Sequence, residues 1–322
     1  MLNSSESQVG PDFRGKWALI TGVRGFLGRA LAAQLQTAGA RVVGLDIQPD
    51  RGDLSPSVQY CPVDILDFNQ LNQTVAELSA VRGSEGLVFH LAGQAHVGKC
   101  RENPSNGFAL NVTGTFNILE SCRRAALKRI LFPSTALVYA LPVPLLVKEC
   151  GLVEPNSFYA ATKLTGESML KGYASDYGFA SQIVRLGNVY GEGGPSDSLV
   201  SILLRQIQSG GPISLRTLAP VRDFIYRDDV VRGLIALAAL PVDPGCQVFN
   251  LSSGVPTSIR ELALLACRIG GLETMINETA PSESDAEDRR VLSIDRISEY
   301  TRWRPLSTLE DGLRRTLSEL RA

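Results

Sequence analysis

The stretch ITGVRGFLG, residues 20–28, places three glycines within nine positions directly after the apolar run 17–20. Glycine loses more backbone freedom on folding than any other residue, so glycines gathered at one point mark a special conformation or a close neighbour. Gly22 permits a tight turn, Gly25 lets the backbone approach a pyrophosphate, and Gly28 lets a helix pack closely on a sheet. The stretch therefore predicts that a strand ends here and that the next helix begins with its N–H groups directed at a phosphate.

Short β-rich runs alternate with helical patterns on the C-terminal side of this stretch. The runs GLVFHLA (86–92) and RILFPS (129–134) are apolar on both faces, as strands of a parallel sheet covered by helices are. Helical patterns begin at Pro104 and at Ser157. Alternation of this kind predicts an α/β fold with a Rossmann-type, doubly wound parallel sheet.

The regular alternation ends after Asn188, where glycine and proline crowd YGEGGPSD (190–197) and SGGPIS (209–214). A smaller C-terminal α/β lobe that binds substrate is predicted there. The predicted division is a polar tail over 1–14, a dinucleotide-binding domain over 15–187 to which 223–251 return, and a substrate-binding lobe formed by 188–222 and 252–322.

Composition limits the classes of partner and the cellular location. Of the 322 residues 44% are hydrophobic, enough for a large core, and the formal net charge of −1 provides no field to recruit nucleic acid or an anionic membrane. The longest apolar stretch, 233–242, is far below the ~20 residues that span a bilayer. The six cysteines form no CxxC pair, which predicts reduced thiols in a cytoplasmic protein with no metal site.

Two carboxylates follow the glycine stretch. Asp46 ends RVVGLD (41–46), where a carboxylate can accept hydrogen bonds from both ribose hydroxyls of NAD and would repel the 2′-phosphate of NADP. The alternative is a plain turn followed by a polar strand end. Asp64, in CPVDI (61–65), is placed to reach an adenine or to cap the next helix. The pattern favours NAD as the cofactor.

The segment YAATK places Tyr159 and Lys163 four residues apart on one helical face. A tyrosine with an ordinary pKa of ~10 is ionised in about one molecule in a thousand at neutral pH. Positive charge from Lys163 and from the nicotinamide ring of NAD+ would lower the pKa of Tyr159 and make it a base. An exposed helical pair without a catalytic role is the alternative.

The segment FPSTALVY (132–139) ends a predicted strand and places Ser134 and Thr135 at its carboxyl end, where open α/β sheets bind their ligands. A hydroxyl group there can hydrogen-bond the substrate oxygen that exchanges a proton with Tyr159. Ordinary turn residues are the alternative.

Taken together, these motifs resemble those of the extended short-chain dehydrogenase/reductases, and specifically the NAD-dependent nucleotide-sugar epimerase/dehydratase group. The resemblance runs from Trp17 to Pro305. The glycine motif and YxxxK are specific to the superfamily, whereas NVYG and RDFIY are typical of the sugar-nucleotide branch. The matching segments are TGVRGFLG (21–28), HLAGQAHV (90–97), NVTGTFNILE (111–120), PSTALVY (133–139), YAATK (159–163), RLGNVYG (185–191), RDFIYRDDVV (222–231) and FNLSSG (249–254).

The resemblance implies a role for each matching residue. Thr135, Tyr159 and Lys163 would form a catalytic trio with Ser134 beside it, and Lys163 would also bind the nicotinamide ribose. The implied substrate contacts, for a nucleoside diphosphate sugar, are Thr135 on the sugar, Asn188 and Arg222 on the diphosphate, and Asn111 near the lysine. The implied cofactor contacts are Gly22, Gly25, Phe26, Leu27, Gly28, Asp46, Asp64, Ile65, Leu91, Ala92, Gly93, Tyr159 and Lys163.

The sequence departs from the family pattern at three places. Dehydratases of the group carry Asp-Glu after the catalytic threonine, where this chain has Ala136 and Leu137. Epimerases often have a lysine at the position of Ala95. The RPGD loop, whose arginine binds the diphosphate, is replaced by 285–288, so that Arg289 or Arg290 is the candidate to take over its charge.

Three functions are compatible with these motifs. The first is an NAD-dependent nucleotide-sugar 4-epimerase that oxidises C4 transiently and returns hydride to the opposite face, in a homodimer. The second is a 4-ketoreductase of a 4-keto-6-deoxy nucleotide sugar, and the third a non-catalytic NAD-binding regulator. The missing carboxylates at 136–137 disfavour dehydration, the intact trio argues against a regulator, and Asp46 favours tightly held NAD and hence the epimerase.

Overall fold

The computed structural model describes residues 11–141, 146–241, 243–273, 275–280 and 288–321. The first ten residues of the predicted tail, and Asp285, Ala286 and Glu287 of the late loop, lie outside these ranges. The strands are β1 (Trp17–Thr21), β2 (Arg41–Asp46), β3 (Gln59–Pro62), β4 (Leu87–His90), β5 (Arg129–Thr135), β6 (Ala180–Leu186), β7 (Asn188–Tyr190), β8 (Ile213–Leu215), β9 (Val221–Tyr226), β10 (Gly245–Leu251), β11 (Pro256–Ser258) and β12 (Ile276–Glu278).

The α-helices lie between and after these strands. They are α1 (Phe26–Thr37), α2 (Phe68–Arg82), α3 (Val97–Glu102), α4 (Pro104–Phe108), α5 (Gly114–Arg124), α6 (Phe158–Tyr177), α7 (Leu199–Ser209), α8 (Arg227–Ala239), α9 (Ile259–Gly270), α10 (Asp295–Thr301) and α11 (Leu309–Arg321).

Seven parallel strands form the main sheet in the order β10-β6-β5-β4-β1-β2-β3. One apolar core lies between this sheet and the layer of α1 and α8, and a second lies beneath α2, α5 and α6. Both faces of the strands are therefore buried, which is why GLVFHLA and RILFPS lack the alternation of a half-exposed strand. The predicted doubly wound sheet is confirmed.

The glycine stretch makes the predicted turn between β1 and α1. Gly22 has a φ of +67°, a left-handed conformation, and a Cβ there would lie 2.9 Å from the backbone nitrogen of Ala92. A Cβ at Gly28 would overlap the carbonyl oxygen of Gly22 and approach the Val23 backbone to 2.8 Å. The three-glycine spacing is thus required by contacts within the turn and with the segment that follows β4.

Helix α6, which carries the YAATK segment, has distinct signals at both ends. The Ser157 hydroxyl accepts the N–H of Ala160 at 3.2 Å, and Gly178 closes the C-terminus with a φ of +68°. Its inner side, including Leu170 and Ala174, packs in the core beneath the sheet. The helix predicted from Ser157 is confirmed, with Ser157 as its N-cap.

The helix predicted from Pro104 is interrupted. A π-helical turn, Ala109–Thr113, separates α4 from α5, and its inward-facing residue is the buried Asn111. The sequence did not predict this turn, because the side chain at its centre is held by groups far away in the chain. The side chain of Asn111 bonds to Gln94 and Thr162 instead of facing solvent.

The remaining strands form a smaller lobe with its own core. Strands β11, β9 and β7 make one sheet, β12 and β8 make another, and α7, α9 and α11 cover them. The chain returns to the main sheet with α8 and β10, whereas β9 belongs to the smaller lobe. The domain limits given above stay a prediction.

Candidate active site

The turn after β1 and the segment after β4 lie side by side at the carboxyl end of the main sheet. Strand order reverses between β1 and β4, since the chain continues from β1 toward β3 and from β4 toward β6. Open α/β sheets bind ligands at such a reversal. Leu91, Ala92 and Gly93, three of the predicted cofactor contacts, directly follow β4 at this point.

The first turn of α1 is built to receive an anion. Gly25 is the N-cap of α1 and supplies no side-chain hydrogen bond to the first N–H groups of the helix. Phe26, Leu27 and Gly28 are the first three residues of this helix. Unsatisfied N–H groups and the positive end of the helix dipole together favour a phosphate.

Asp46 lies at the end of β2 beside this turn. Its Oδ2 accepts the backbone N–H of Arg24 at 3.0 Å, and its Oδ1 accepts that of Gln48 at 3.3 Å. Each carboxylate oxygen can accept a second hydrogen bond, so Asp46 keeps capacity for ribose hydroxyls. Arg24, which donates its backbone N–H to Asp46, was not among the predicted cofactor contacts, although it is the charged residue within the glycine stretch. Its guanidinium donates to the Asp50 carbonyl at 3.1 Å.

Asp64 and Ile65 follow β3. Asp64 accepts the N–H of Leu66 at 2.9 Å, whereas the N-cap of α2 is Asp67, whose side chain accepts from Gln70 at 3.1 Å. The alternative role of Asp64 as a helix cap is therefore wrong. Its contact with an adenine stays a prediction.

Thr135, Tyr159 and Lys163 come together at the end of β5 and the start of α6. Burial raises the pKa of Tyr159 far above its ordinary value, and a hydrogen bond with Thr135 opposes that rise. Burial lowers the pKa of Lys163 to about 8, against an opposing effect of the Glu167 carboxylate. The Lys163 ammonium lies 4.0 Å from the centre of the Phe132 ring. The site thus combines an uncharged phenol with a lysine ammonium group that loses its proton more readily than usual.

Ser134 is bonded to a buried carboxylate. Its hydroxyl donates to Oε1 of Glu167 at 2.6 Å, and Arg185 donates to the same carboxylate at 3.0 and 2.7 Å. Glu167 and Arg185 are buried and form an ion pair, and the Glu167 carboxylate acts electrostatically on Lys163. A catalytic role for Ser134 stays a prediction, and the structure shows its hydroxyl engaged in this pair. Glu167 was not among the predicted site residues. Its position four residues after Lys163 on one helix was the signal that could have identified it.

Ala136 and Leu137, at the positions of the dehydratase carboxylates, form a short 3₁₀ turn with Val138. The hydroxyl of Thr135 accepts the N–H of Leu137 at 3.2 Å, which fixes this turn directly after the strand. These two positions therefore supply no acid or base beside Thr135.

The predicted diphosphate contacts lie in the smaller lobe. Arg222 donates to the carbonyl of Asp288 at 2.7 Å and pairs with its carboxylate, which also accepts from Arg290 at 2.6 Å. Two carboxylates close to Arg222 in sequence are engaged elsewhere: Asp223 accepts from Ser253, and Asp228 pairs with Arg227. Asp288 was not foreseen as the partner, because it is 66 residues away in sequence.

Two guanidinium groups on one carboxylate leave this three-residue cluster with one net positive charge. Arg290 is buried, which lowers its pKa, whereas Arg289 is exposed. Asn188, the other predicted diphosphate contact, is exposed at the first position of β7, which pairs with β9. Of the two candidates to replace the missing arginine, Arg290 is the one joined to Arg222 through Asp288.

Comparison with known proteins agrees with this geometry. The family model described as "NAD dependent epimerase/dehydratase family" matches residues 18–252. A UDP-glucuronate 4-epimerase of Thermodesulfobacterium geofontis is 30% identical over 319 residues, covering 93% of this chain and 94% of the relative. Among solved structures, the NAD complex of the Thermus thermophilus UDP-glucose 4-epimerase superposes with a TM-score of 0.83 at 28% identity over 95% of this chain and 99% of that one. The Bacillus cereus UDP-glucuronic acid 4-epimerase with UDP-glucuronic acid and NAD has a TM-score of 0.84 at 25% identity, over 95% and 99%.

The lowered pKa of Lys163 predicts an effect on stability. A lysine whose pKa is about 8 in the folded chain and 10.5 unfolded destabilises the fold below pH 8, and this cost disappears as the pH rises to 10.5. Lys163→Met without cofactor should therefore melt above wild type at pH 7, and the gap should shrink between pH 8 and 10.5, measured by thermal denaturation. Turnover should be lost and NAD should bind more weakly.

Lys171→Met is the matched control, since Lys171 is exposed on the same helix. Its melting temperature should follow that of wild type at every pH. If the difference in melting temperature between Lys163→Met and wild type did not change between pH 8 and 10.5, this result would contradict the lowered pKa of Lys163.

Proposed function

The chain belongs to the NAD dependent epimerase/dehydratase family, and from that premise we propose that it is an NAD-dependent 4-epimerase of a nucleoside diphosphate sugar. The observation that carries the proposal is the meeting of Thr135, Tyr159 and Lys163 at the carboxyl end of the sheet, with no carboxylate at the next two positions. Proton transfer at a sugar hydroxyl needs the trio, whereas elimination of water needs the missing acid and base.

The residues around the glycine turn fit NAD. The N-cap Gly25 leaves the first helical turn open to a pyrophosphate, and Asp46 keeps an acceptor site on each oxygen for the adenosine ribose. Its negative charge opposes a 2′-phosphate, which supports NAD rather than NADP. When bound, NAD supplies the acceptor and donor of hydride at C4 of the sugar.

Each member of the trio contributes one physical effect to the reaction. Tyr159 removes the proton from the sugar O4 as C4 is oxidised and returns it when C4 is reduced from the other face. The charged ammonium of Lys163 favours the ionised phenol and opposes the effect of burial on its pKa. Thr135, which hydrogen-bonds Tyr159, holds the sugar oxygen in line for the transfer.

A 4-ketoreductase would use the same three residues. The relatives and solved neighbours reported above are named as 4-epimerases, which supports the epimerase. Their names all specify a UDP-sugar, so we place a UDP-hexose or UDP-hexuronate first among substrates. The Arg222–Asp288–Arg290 cluster supplies positive charge suited to the diphosphate, a group that guanidinium binds in bidentate fashion.

We also propose a reduced, cytoplasmic setting, in which such an enzyme serves carbohydrate biosynthesis. All six cysteines are free, and two of them are fully buried. Within the described ranges, no helix has the length and apolar character needed to cross a bilayer.

A homodimer is proposed from exposed aromatic side chains on neighbouring helices. Phe108 at the end of α4, Phe116 in α5 and Phe158 at the start of α6 are 51%, 46% and 42% exposed. Three large apolar side chains left in water on adjacent elements are typical of a protein interface. Phe116→Glu should therefore shift the protein to monomer in sedimentation velocity. Leu264→Glu, at an equally exposed position on α9, is the control and should leave the wild-type state unchanged; a monomeric wild type would contradict the proposal.

The catalytic assignment is tested by Tyr159→Phe, which removes only the proton-transferring group. The variant should fold and bind NAD, and 4-epimerase turnover of UDP-sugars should fall ~100-fold or more, as for loss of a general base. Tyr173→Phe, on the same helix but with its hydroxyl directed at Glu120, should keep wild-type turnover. A Tyr159→Phe variant that kept about a tenth of the activity, far above that expectation, would place the base elsewhere.

A further inference from the structure

A series of buried polar groups connects the glycine turn with the helix that carries Tyr159. We call it the His90 network. Its side chains, which are at most 3% exposed, are Thr21, His90, Asn111, Thr115 and Thr162. The bonds, in order, join Ala92 N to Thr21 Oγ1 (3.1 Å), Thr21 Oγ1 to His90 Nδ1 (2.8 Å), His90 Nε2 to Thr115 Oγ1 (3.0 Å), Thr115 Oγ1 to the Asn111 carbonyl (2.7 Å), Asn111 Nδ2 to Thr162 Oγ1 (3.0 Å) and Thr162 Oγ1 to the Tyr159 carbonyl (2.7 Å).

The hydrogen bonds at the Thr115 end fix the tautomer of the histidine. At the other end, the Thr21 hydroxyl accepts the N–H of Ala92 and keeps its own proton available for an unprotonated Nδ1 of His90. The carbonyl of Asn111 can only accept, so Thr115 donates to it and accepts from Nε2–H of His90. A neutral His90 therefore carries its proton on Nε2 and accepts the Thr21 hydroxyl at Nδ1.

The asparagine continues the same direction. The N–H of Gln94 can only donate, which identifies the Asn111 atom facing it at 2.8 Å as Oδ1. Nδ2 therefore faces Thr162 and donates to it, and the Thr162 hydroxyl donates to the Tyr159 carbonyl. The donors thus run one way in two segments that meet at Asn111: one from Ala92 through His90 to its backbone carbonyl, the other from Gln94 through its side-chain amide to Tyr159. Within each segment one hydrogen bond polarises the next.

The network requires an uncharged His90. A proton on Nδ1 would remove the acceptor of the Thr21 hydroxyl and break the series at its start. Full burial lowers the pKa of His90 to about 3, and the nearby Lys163 ammonium contributes to that lowering. His90 also stacks on Phe132, at 5.8 Å between ring centres, and the same ring contacts Lys163.

We propose that His90, Thr115 and Thr162 are positioning residues of the 4-epimerase reaction: through the His90 network they hold Tyr159 and Lys163 at a fixed place relative to the glycine turn. Thr21 directly precedes Gly22, Asn111 lies in the π-helical turn, and Thr162 lies between the two catalytic side chains. The network thereby sets the distance between the dinucleotide and the base. This catalytic role depends on the proposed function, whereas the existence of the network does not.

Three variants separate this role from simple stabilisation. Thr115→Val keeps the shape of the side chain but removes its hydroxyl, and Thr115→Ser restores the hydroxyl. Thr316→Val is the matched control, because Thr316 is likewise buried and donates to the carbonyl four residues earlier at 2.7 Å, but lies in α11 of the smaller lobe. The kcat and KM for UDP-sugar epimerisation and the melting temperature are measured for all three with NAD bound.

We expect Thr115→Val to lower kcat roughly 10- to 100-fold with little change in KM, as for a displaced catalytic group. Thr115→Ser should recover most of that loss, and Thr316→Val should lower the melting temperature alone. Equal kcat values for Thr115→Val and Thr316→Val would overturn the positioning role.

Nuclear magnetic resonance of the 15N-histidine-labelled protein tests the network without any substrate. The sequence has two histidines, and the His96→Gln variant identifies the signals of the other. His90 should show a protonated Nε2 and a bare Nδ1 that do not change from about pH 5 to pH 8, the range in which an ordinary histidine titrates.

A His90 that titrates in this range, or that carries its proton on Nδ1, would overturn the network. A wild-type protein with this tautomer but without 4-epimerase activity on any UDP-sugar would instead contradict the proposed function, and with it the catalytic role of the network.

Discussion

The approach of the Gly22 turn to the backbone after β4 is the constraint on which the site depends. With the Cβ of any other residue 2.9 Å from Ala92, the turn could not lie against that segment, and β1 and β4 could not end at one level. The reversal of strand order places this turn, and the first turn of α1 that follows it, beside the end of β4. The same close approach lets Ala92 hydrogen-bond Thr21, from which the His90 network begins.

The charge of Lys163 runs against the stability of the isolated chain. Burial favours a neutral phenol on Tyr159 and a neutral amine on Lys163, whereas proton transfer needs a phenol that can ionise beside a charged lysine. Glu167, held by Ser134 and Arg185, offsets part of the cost of the lysine charge. A bound nicotinamide cation would supply more positive charge next to the phenol. The site is therefore preorganised for a ligand that completes its charge balance.

Features set by short sequence spacing were predictable. The glycine turn, the Tyr159–Lys163 pair and the parallel strands each depend on periodicities of a few residues. Contacts between distant parts of the chain were not: the Arg222–Asp288 pair and the Ser134–Glu167 bond join residues 66 and 33 apart. The π-helical turn escaped prediction for the same reason, since groups from the segment after β4 and from α6 hold Asn111 there.

The central claim is that one buried tyrosine and one returning hydride invert C4 within a single site. The most direct measurement follows a UDP-sugar carrying deuterium at C4, incubated with the wild-type protein and NAD but with no added reductant. The account predicts an equilibrium mixture of the two C4 epimers, both retaining the deuterium, with the cofactor still oxidised at the end. Deuterium lost to solvent, or conversion only when reduced cofactor is supplied and consumed one for one, would contradict it.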